Sequence, residues 1–334
     1  MTDKREKIAS MIIPVYQAKD TLKTCVLSCL NQKFVKPEEL EIILVDDGST
    51  DGSSDICDEL QVEYGSERIV VIHGKNHGVS HARNLGIEKA TGRFIIFVDA
   101  DDQVKETLID NMTKYADEGT VLVDETNKYI GSQKLSGFQY IESSILNENT
   151  HVWGKLFDRH TINYRNIRFN ENLTIGEDLI FLIDLALSQE KDHTIRCITE
   201  EDYIYNDNQD GAMKSAFKES YMDEFVCWKM AEKRIVPYRK QVSEYAFVSL
   251  SCSQIMTALL VVGKVAVQEK DERDDVLCDL AVSEATDQIN HALKTRGAFA
   301  GLSFGYKIKV LLFRINPKAY LDLYYKHKKG RRTA

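Results

Sequence analysis

Two hydrophobic patterns alternate along the chain as far as residue 125. Short apolar runs at 8–15, 41–45, 69–72, 94–98 and 120–123 are typical of buried parallel strands. Between them, apolar residues recur with helical spacing near 22–30, 56–64, 79–90 and 106–115. This regular alternation predicts an α/β fold, in which a mostly parallel sheet is flanked by helices and joined by right-handed crossovers.

The alternation fades from about residue 135. We expect irregular structure up to residue 172, a buried helix at 179–187, and short strands at 194–198 and 203–205. Beyond residue 215 the pattern predicts helices at 220–233, 243–267 and 273–294. We therefore place a boundary near 208–214, with one domain at 1–210 and a helical C-terminal region at 211–334 that ends in a basic tail.

The longest apolar stretch, 245–263, has about the length that spans a bilayer. Polar residues interrupt it at five positions, namely Ser249, Ser251, Ser253, Gln254 and Thr257. A helix buried in a small bundle explains these residues better than a membrane span does.

Charge is unevenly distributed along the chain. The 334 residues contain 43 Lys and Arg against 52 Asp and Glu, a net charge of −9, so we expect no nucleic-acid partner. Residues 297–334 contain nine basic residues and one acidic residue, Asp322, so this segment carries +8 and the remainder of the chain −17. Aromatic and aliphatic residues are interleaved with these basic residues, which suits the surface of an anionic bilayer. The alternative is a helix packed on the protein with a frayed basic end.

The seven cysteines are scattered and form no Cys-x-x-Cys pair, so they indicate neither a disulfide framework nor a zinc site. Cys25 and Cys29 fall within an apolar helical pattern, and we expect them to pack in the core. The first residues carry charges but no long apolar run, which predicts a cytoplasmic protein.

Polar residues gather where three predicted strands end, at 14–16, 46–52 and 99–102. Carboxylates crowded at one sheet edge repel each other unless a cation lies between them, and oxygen ligands favour Mg²⁺ or Mn²⁺. The spacing of the acidic residues from Asp47 to Asp58 matches that of a calcium-binding loop. Such a loop follows a helix and ends in Glu, whereas here an apolar strand comes first and the last residue is Asp. Asp99 and Asp101 also match the Asp-x-Asp motif of phosphotransferases that use an aspartyl nucleophile. Those enzymes have Thr or Val at the position that Gln103 occupies here.

Several short motifs together resemble the family 2 glycosyltransferases, over residues of about 8–205. In family order they read PVY at 14–16, VDDGSTD at 45–51, NHGVSHARNLG at 76–86, FVDADD at 97–102, WGKLF at 153–157, FNE at 169–171 and GED at 176–178. Each motif alone is weak, whereas their order on predicted strand ends is specific.

The resemblance implies a GT-A fold, with a nucleotide-sugar half at about 1–125 and an acceptor half at about 126–210. It implies an inverting, hexosyltransferase-type enzyme that uses Mn²⁺ or Mg²⁺ and a nucleotide-sugar donor, with a UDP-sugar expected. The acceptor would be a hydroxyl of a glycan, lipid-linked or polymer substrate in surface polysaccharide or glycoconjugate assembly. No Gln-x-x-Arg-Trp motif follows, which favours single additions over processive synthesis. We expect the protein in the cytoplasm or peripherally at the inner face of the cell membrane.

The resemblance also implies roles for individual residues. Pro14, Val15 and Tyr16 would line the nucleobase and ribose pocket, and either Asp46 or Asp47 would accept a hydrogen bond from the base. Asn76, Gly78 and Arg83 would border the base and the diphosphate. Asp99 would lie near the ribose and the metal, Ala100 would lie beside it, and Asp101 would ligate the metal.

The candidate general base is Asp178, with Glu177 as the alternative. Because GED precedes a helix, Asp178 is also suited to the helix N-terminus.

Other positions have two interpretations each. Arg83 suits a diphosphate or a salt bridge to the strand-end aspartates, and Asp102 suits a metal or the cap of the next helix. Trp153 suits a sugar face or the core, and Lys155 and Glu177 are further candidate contacts to the sugar or acceptor.

Two rival functions remain open at this point. One is a nucleotidyl or phosphoryl transferase that acts on sugar nucleotides, which would not need Asp178. The other is a carbohydrate-binding relic without activity, which the presence of Asp99, Asp101 and Asp178 disfavours.

Overall fold

The computed structural model describes residues 7–127, 131–188, 194–206, 216–268 and 274–332, with side chains through residue 328. It divides into two compact units, one formed by 1–145 and 149–208 and the other by 146–148 and 209–334. The boundary predicted near 208–214 lies outside the described part of the chain.

The first unit is built on a sheet whose strand order is β3-β2-β1-β4-β8-β6-β9-β7. The pairs β1–β2, β2–β3, β1–β4 and β6–β9 are parallel, whereas β8 runs antiparallel to both of its neighbours and β7 antiparallel to β9. A separate antiparallel pair joins β5 and β10. The strands are β1 Ala9–Val15, β2 Leu40–Asp46, β3 Ile69–His73, β4 Phe94–Phe97, β5 Gln103–Val104, β6 Leu122–Asp124, β7 Gln133–Leu135, β8 Lys155–Asp158, β9 Ile195–Cys197 and β10 Tyr203–Ile204.

Helices connect these strands, and five of the seven described helices lie where the sequence pattern predicts a helix, the exceptions being α5 and α6. They are α1 Leu22–Leu30, α2 Ser53–Tyr64, α3 Val79–Lys89, α4 Leu108–Tyr115, α5 Gly137–Ser143, α6 Arg159–Tyr164 and α7 Glu177–Leu187. β1 and β2 are buried along almost their entire length, as the apolar runs predict for central parallel strands. Cys25 and Cys29 are buried on α1 against this sheet, which confirms their assignment to the core.

The irregular structure predicted up to residue 172 is wrong in part. Residues 133–164 contain two strands, β7 and β8, and two short helices, α5 and α6. β8 lacks a clear apolar signal because it is only four residues long and begins with the fully buried Lys155. Its pairing on both sides with β4 and β6 makes it a strand, which is information that a local pattern lacks.

The second unit is helical. Its helices are α8 Asp223–Ile235, α9 Glu244–Ala266, α10 Asp275–Ala292, α11 Ala298–Gly301, α12 Phe304–Ile315 and α13 Pro317–Arg332. α9 packs against α8, α10, α11, α12 and α13. Two of its polar side chains have partners inside the bundle, since Ser251 bonds Thr295 at 2.8 Å and Gln254 bonds Glu232 at 2.8 Å.

By length and composition, α9 is the one helix among the described residues that suits a membrane span. Two thirds of its most apolar window is buried within the protein, as in the core helix of a bundle. Together with the paired polar side chains, this burial favours the bundle interpretation of 245–263.

Candidate active site

The carboxyl ends of β1, β2 and β4 lie side by side and bring the first predicted site residues together. Val15 is in register with Asp46, and the Asp47 amide donates to the Val15 carbonyl at 2.8 Å. Val15 is buried and Pro14 half-buried, whereas half of the Tyr16 surface is exposed. Tyr16 is therefore the member of the PVY motif that can cover a ligand at this edge.

Asp46 and Asp47 are both buried, but they organise different loops. Asp46 accepts hydrogen bonds from the Ser49 amide, the Ser54 hydroxyl and the His73 ring. These bonds outweigh the opposing effect of burial and lower the pKa of Asp46. The Asp46 carboxylate therefore stabilises the loop that follows β2.

Asp47 holds the loop that precedes α3. Its two oxygens accept from the amides of His77 and Gly78 at 2.9 and 2.8 Å. Gly48 has φ of +74°, and a Cβ there would lie 2.9 Å from the Asn76 nitrogen, so only glycine allows the two loops to approach this closely. Asn76 itself is exposed beside this contact and is free to face a ligand at the sheet edge.

After β4, the chain presents three partly exposed residues, Asp99, Ala100 and Asp101, and then the buried Asp102. Asp102 accepts from the Tyr203 hydroxyl at 2.7 Å and from the Asn206 amide at 2.8 Å. Burial raises the pKa of Asp102 to about 6, although these two bonds oppose the rise.

The predicted helix cap at Asp102 is wrong. α4 begins at Leu108, and the residue before it is Thr107. Asp102 instead anchors the segment 203–206.

Tyr203 is a residue that the motif analysis missed. Its hydroxyl donates to Asp102 and accepts from the Asp99 amide at 3.1 Å, which ties the two aspartates to β10. Asn206 adds a bond from its side-chain amide to the Asp101 carbonyl at 2.6 Å. The aromatic pattern at 203–205 signals a strand, but nothing in the sequence indicates that this strand reaches the end of β4.

Arg83 connects the end of β4 to the start of α7. Its guanidinium, nearly inaccessible to solvent, bonds Asp178 at 2.8 Å, Glu177 at 3.2 Å and Asp99 at 3.1 Å. Burial opposes the charge of Arg83, but the three carboxylates together raise its pKa above the ordinary value. The structure thus bears out the salt-bridge interpretation of Arg83, and a diphosphate contact stays a prediction.

Asp178 lies in the first turn of α7, where the helix dipole favours its charge. Gly176 adopts the left-handed conformation, φ +87°, directly before the helix. One Asp178 oxygen accepts from Arg83 and the other from the Val152 amide at 3.2 Å, and 18% of the side chain is exposed. Burial raises the pKa of Asp178, and Arg83 opposes the rise.

Glu177 occupies the position next to Asp178 but is more enclosed, with 12% of its side chain exposed. Burial and the neighbouring Asp178 charge raise its pKa, against the effect of Arg83. The structure therefore brings together Arg83, Asp99, Glu177 and Asp178, which come from three separate motifs.

Trp153 is neither a core residue nor an isolated surface residue. Its ring stacks on His151 with 3.7 Å between ring centroids, on Tyr203 at 4.9 Å and on Tyr205 at 5.5 Å. Trp153 is half-buried, and Tyr205 is 57% exposed. His151 and Tyr205 carry no motif signal in the sequence, because their contribution depends on chain segments about 50 residues apart meeting in space.

Lys155 does not lie where an acceptor contact requires. The side chain is fully buried, and its ammonium bonds Thr126 at 2.8 Å and Asn149 at 2.9 Å, with Asp124 at 3.5 Å. Burial lowers the pKa of Lys155. The position therefore corrects the predicted sugar or acceptor contact, because Lys155 balances a buried carboxylate beneath the site.

The residues that follow β4 fit a divalent cation whose remaining ligands come from substrate phosphates. In the described part of the chain, no three or more His, Cys, Asp or Glu residues form a ready-made metal cage. Asp99 and Asp101 nevertheless offer hard oxygen donors that are partly open to solvent. Three carboxylates surround the single charge of Arg83, so negative charge remains in excess. Mg²⁺ commonly binds through one or two carboxylates plus substrate phosphates.

Comparison with known proteins decides the family. The sequence model described as glycosyl transferase family 2 matches residues 10–178, just over half of the chain. The chain belongs to this family. Residues 10–178 therefore form a family 2 glycosyltransferase region, and the mostly parallel sheet with its flanking helices is a GT-A fold.

Individual relatives agree with this assignment. The chain is 33% identical over 222 residues to the minor teichoic acid biosynthesis protein GgaB of Bacillus subtilis, a match that covers 62% of this chain and 24% of GgaB. It is 28% identical over 235 residues to the uncharacterized glycosyltransferase EpsJ of the same organism, covering 65% of this chain and 66% of EpsJ. The chain thus spans less than two thirds of either relative.

Among solved structures, Staphylococcus aureus TarS 1-349 in complex with UDP-GlcNAc superposes with a TM-score of 0.66. The match covers 97% of this chain and 92% of TarS 1-349, at 16% sequence identity. At this identity the likeness establishes the shared fold.

Proposed function

We propose that this glycosyltransferase transfers a sugar from a UDP-sugar to a hydroxyl group, with inversion at the anomeric carbon. The observation that carries the proposal is the arrangement around Arg83, which holds Asp178 and Asp99 by the same guanidinium. One side of this group belongs to the predicted donor site and the other to the candidate base. The complex of TarS with UDP-GlcNAc supports a uridine nucleotide as the donor.

Donor binding falls to the edge formed by the ends of β1, β2 and β4. Tyr16 is exposed enough to cover the base, and Asn76 borders the same edge. Asp46 and Asp47 already accept bonds from the protein, so they chiefly fix loop shape. Oδ2 of Asp46 already accepts from Ser54 and His73, whereas Oδ1 of Asp46 and each Asp47 oxygen accept one bond from a backbone amide. Each of these three oxygens has a second lone pair that suits the base N–H.

Asp178 acts as the general base in this proposal. Its carboxylate takes the proton of the acceptor hydroxyl while that oxygen bonds the anomeric carbon. The bond from the anomeric carbon to the diphosphate oxygen breaks, and the nucleoside diphosphate leaves with the electron pair. Both oxygens of Asp178 are held, by Arg83 and by Val152, which fixes the carboxylate in one orientation.

Asp101 and Asp99 would hold Mn²⁺ or Mg²⁺. When bound, such an ion neutralises the negative charge that develops on the departing diphosphate. The partial exposure of both residues leaves room for a ligand at this edge.

For the acceptor we propose a glycan, lipid-linked or polymer substrate in surface polysaccharide or glycoconjugate assembly, with single additions. The stacked aromatic rings of Trp153 and Tyr205 offer an apolar surface suited to a sugar face. The name of GgaB, a teichoic acid biosynthesis protein, supports a surface polymer. We further propose that the protein works from the cytoplasm at an anionic membrane surface, reached through its basic tail.

A panel of sugar nucleotides tests the donor proposal. UDP-, GDP-, dTDP- and CMP-sugars are each incubated with a library of acceptors, with Mn²⁺, with Mg²⁺ or with excess EDTA. We expect release of UDP from one UDP-sugar, loss of release in EDTA, and a product with inverted anomeric configuration by NMR. Turnover of a non-uridine donor alone, full activity in EDTA, or retention of configuration would each contradict one part of the proposal.

A further inference from the structure

The surface of α12 is unusual for a helix at the outside of a bundle. Five of its apolar side chains are exposed, at fractions between 39% and 81%. They are Phe304, Ile308, Leu311, Leu312 and Ile315. The opposite side of the helix, with Val310 and Phe313, is buried. The helix therefore uses one apolar face for the core and leaves a second one uncovered in this unit.

The exposed residues form a continuous stripe. Phe304, Ile308, Leu311 and Ile315 are spaced by four, three and four residues, which places them on one side of a helix. Phe304 and Ile315, at the two ends, are the most exposed, at 79% and 81%. A stripe that runs along the whole helix suits a flat partner better than a pocket.

Basic residues border this stripe. Lys307 and Arg314 fall on one flank by helical spacing, and Lys309 lies on the other flank beyond Leu312. Lys318 follows at the start of α13, and residues 297–334 together have a net charge of +8. A helix with an apolar stripe between lysines and arginines lies in the plane of an anionic bilayer, with its apolar side chains at the level of the acyl chains.

The same charges disfavour a second copy of the chain as the occupant. A symmetric dimer would place the same patch on both partners and so bring two segments of +8 together. Repulsion between like charges at close range opposes such pairing. An anionic lipid surface satisfies both the apolar stripe and its basic border.

We infer that the α12 stripe, defined by Phe304, Ile308, Leu311 and Ile315, is an in-plane docking surface for anionic lipid bilayers. The inference rests on the membrane partner in the proposed function and names the residues that make the contact. The packed side of α12 stays on the bundle, so docking requires no unfolding of the helix. The packed-helix interpretation of the tail and the membrane interpretation are then compatible, because each concerns a different face of α12.

Vesicle sedimentation with the full chain tests the inference. Vesicles of phosphatidylcholine with phosphatidylglycerol are compared with phosphatidylcholine alone, for the wild type and for Phe304→Ser/Ile315→Ser. We expect the wild type to bind the anionic vesicles preferentially. The double variant should bind them at least about tenfold less, because two large apolar side chains are no longer available to transfer from water into the bilayer. Val276→Ser/Leu280→Ser is the matched control, since both residues are exposed on α10, and it should bind like the wild type.

Three results would overturn the inference. They are equal binding by the double variant and the wild type, equal loss of binding in the α10 control, and a wild-type dimer in ultracentrifugation that Phe304→Ser/Ile315→Ser converts to a monomer. A second readout is Phe304→Trp, whose fluorescence should be quenched by brominated anionic lipid, whereas Val276→Trp should not respond. Release of nucleoside diphosphate is measured in parallel. A chain that binds vesicles but turns over no sugar nucleotide would contradict the proposed function alone.

Discussion

Arg83 is the residue on which the geometry of the site depends. It reaches Asp99 after β4 and both acidic residues at the start of α7, and its guanidinium carbon lies 5.3 Å from the centre of the Phe169 ring. A planar, permanently charged group with several donors can hold carboxylates in fixed directions, which an ammonium cannot do. We therefore regard Arg83 as a positioning residue for Asp178.

Arg83→Gln should lower kcat by about 10²-fold, because displacing the candidate base Asp178 by about 1 Å reduces the rate by about that factor. It also removes the charge that opposes the raised pKa of Asp178, so the acidic limb of the kcat profile should move to higher pH. Arg83→Lys retains the charge and should keep the limb closer to that of the wild type. The measurement is kcat against pH at saturating donor and metal.

The exposed Arg93 offers a matched control, since Arg93→Gln changes the same residue type away from the site. An acidic limb that stays in place in Arg83→Gln would contradict the positioning role.

Single residues also show how far the sequence could predict the site. The motifs at 76–86, 97–102 and 176–178 identify Arg83, Asp99 and Asp178 as candidates, but no local pattern shows that Arg83 joins Asp99 to Asp178. Tyr203 and the burial of Lys155 depend on packing between segments far apart in the chain. Such contacts are absent from any spacing rule, because helical and strand periodicities report only which face a side chain occupies.

At the level of elements, His73 joins three parts of the donor-side architecture. Its ring, at the end of β3, contacts Asp46 of β2 at 2.9 Å and Asp58 of α2 at 3.1 Å. Both hydrogen bonds raise the pKa of His73, against the effect of partial burial. The protonated ring is therefore favoured by the folded state.

A raised pKa makes this stabilisation dependent on pH. It is fully present below the ordinary histidine value of about 6.5 and is lost as pH rises through the higher pKa of the folded state. His73→Gln should therefore lower Tm more at pH 5.5 than at pH 8.5, as measured by thermal unfolding at the two values. The matched control variant is His160→Gln, which removes an exposed imidazole from α6. Equal losses for His73→Gln at both values would contradict the linkage.

Elements differ in how well the sequence predicts them. β1 to β4 come from almost wholly apolar runs that alternate with helical patterns, and the structure confirms these strands and the helices between them. β7 and β8 have three and four residues, too few for a period, and they become strands through pairing with β9, β4 and β6. The charge pattern alone describes α12 and α13 as a basic tail. In the structure, the buried Val310, Phe313 and Tyr320 attach both helices to the bundle.

At the level of the whole molecule, the two units carry separate tasks in this account. The first unit contains the donor-side residues, the candidate base and the stacked aromatic rings. The second contains the α12 stripe. Loss of the stripe should therefore leave chemistry with a water-soluble acceptor intact, whereas loss of Asp178 should leave vesicle binding intact.

The central claim is that Asp178 takes the acceptor proton during glycosyl transfer. Asp178→Asn keeps the shape of the side chain and a partner for Arg83, but it accepts no proton at neutral pH. Donor affinity should stay near that of the wild type, because the donor contacts come from the ends of β1, β2 and β4. Transfer should fall by about 10²–10⁴-fold, the usual contribution of a positioned general base.

The most direct measurement compares donor affinity and transfer rate for the wild type, Asp178→Asn and Glu177→Gln with the same verified acceptor. We predict that Asp178→Asn keeps the donor affinity of the wild type but loses the transfer rate, and that Glu177→Gln shows a much smaller loss of transfer rate. Transfer by Asp178→Asn at nearly the wild-type rate, or a larger loss in Glu177→Gln, would contradict it.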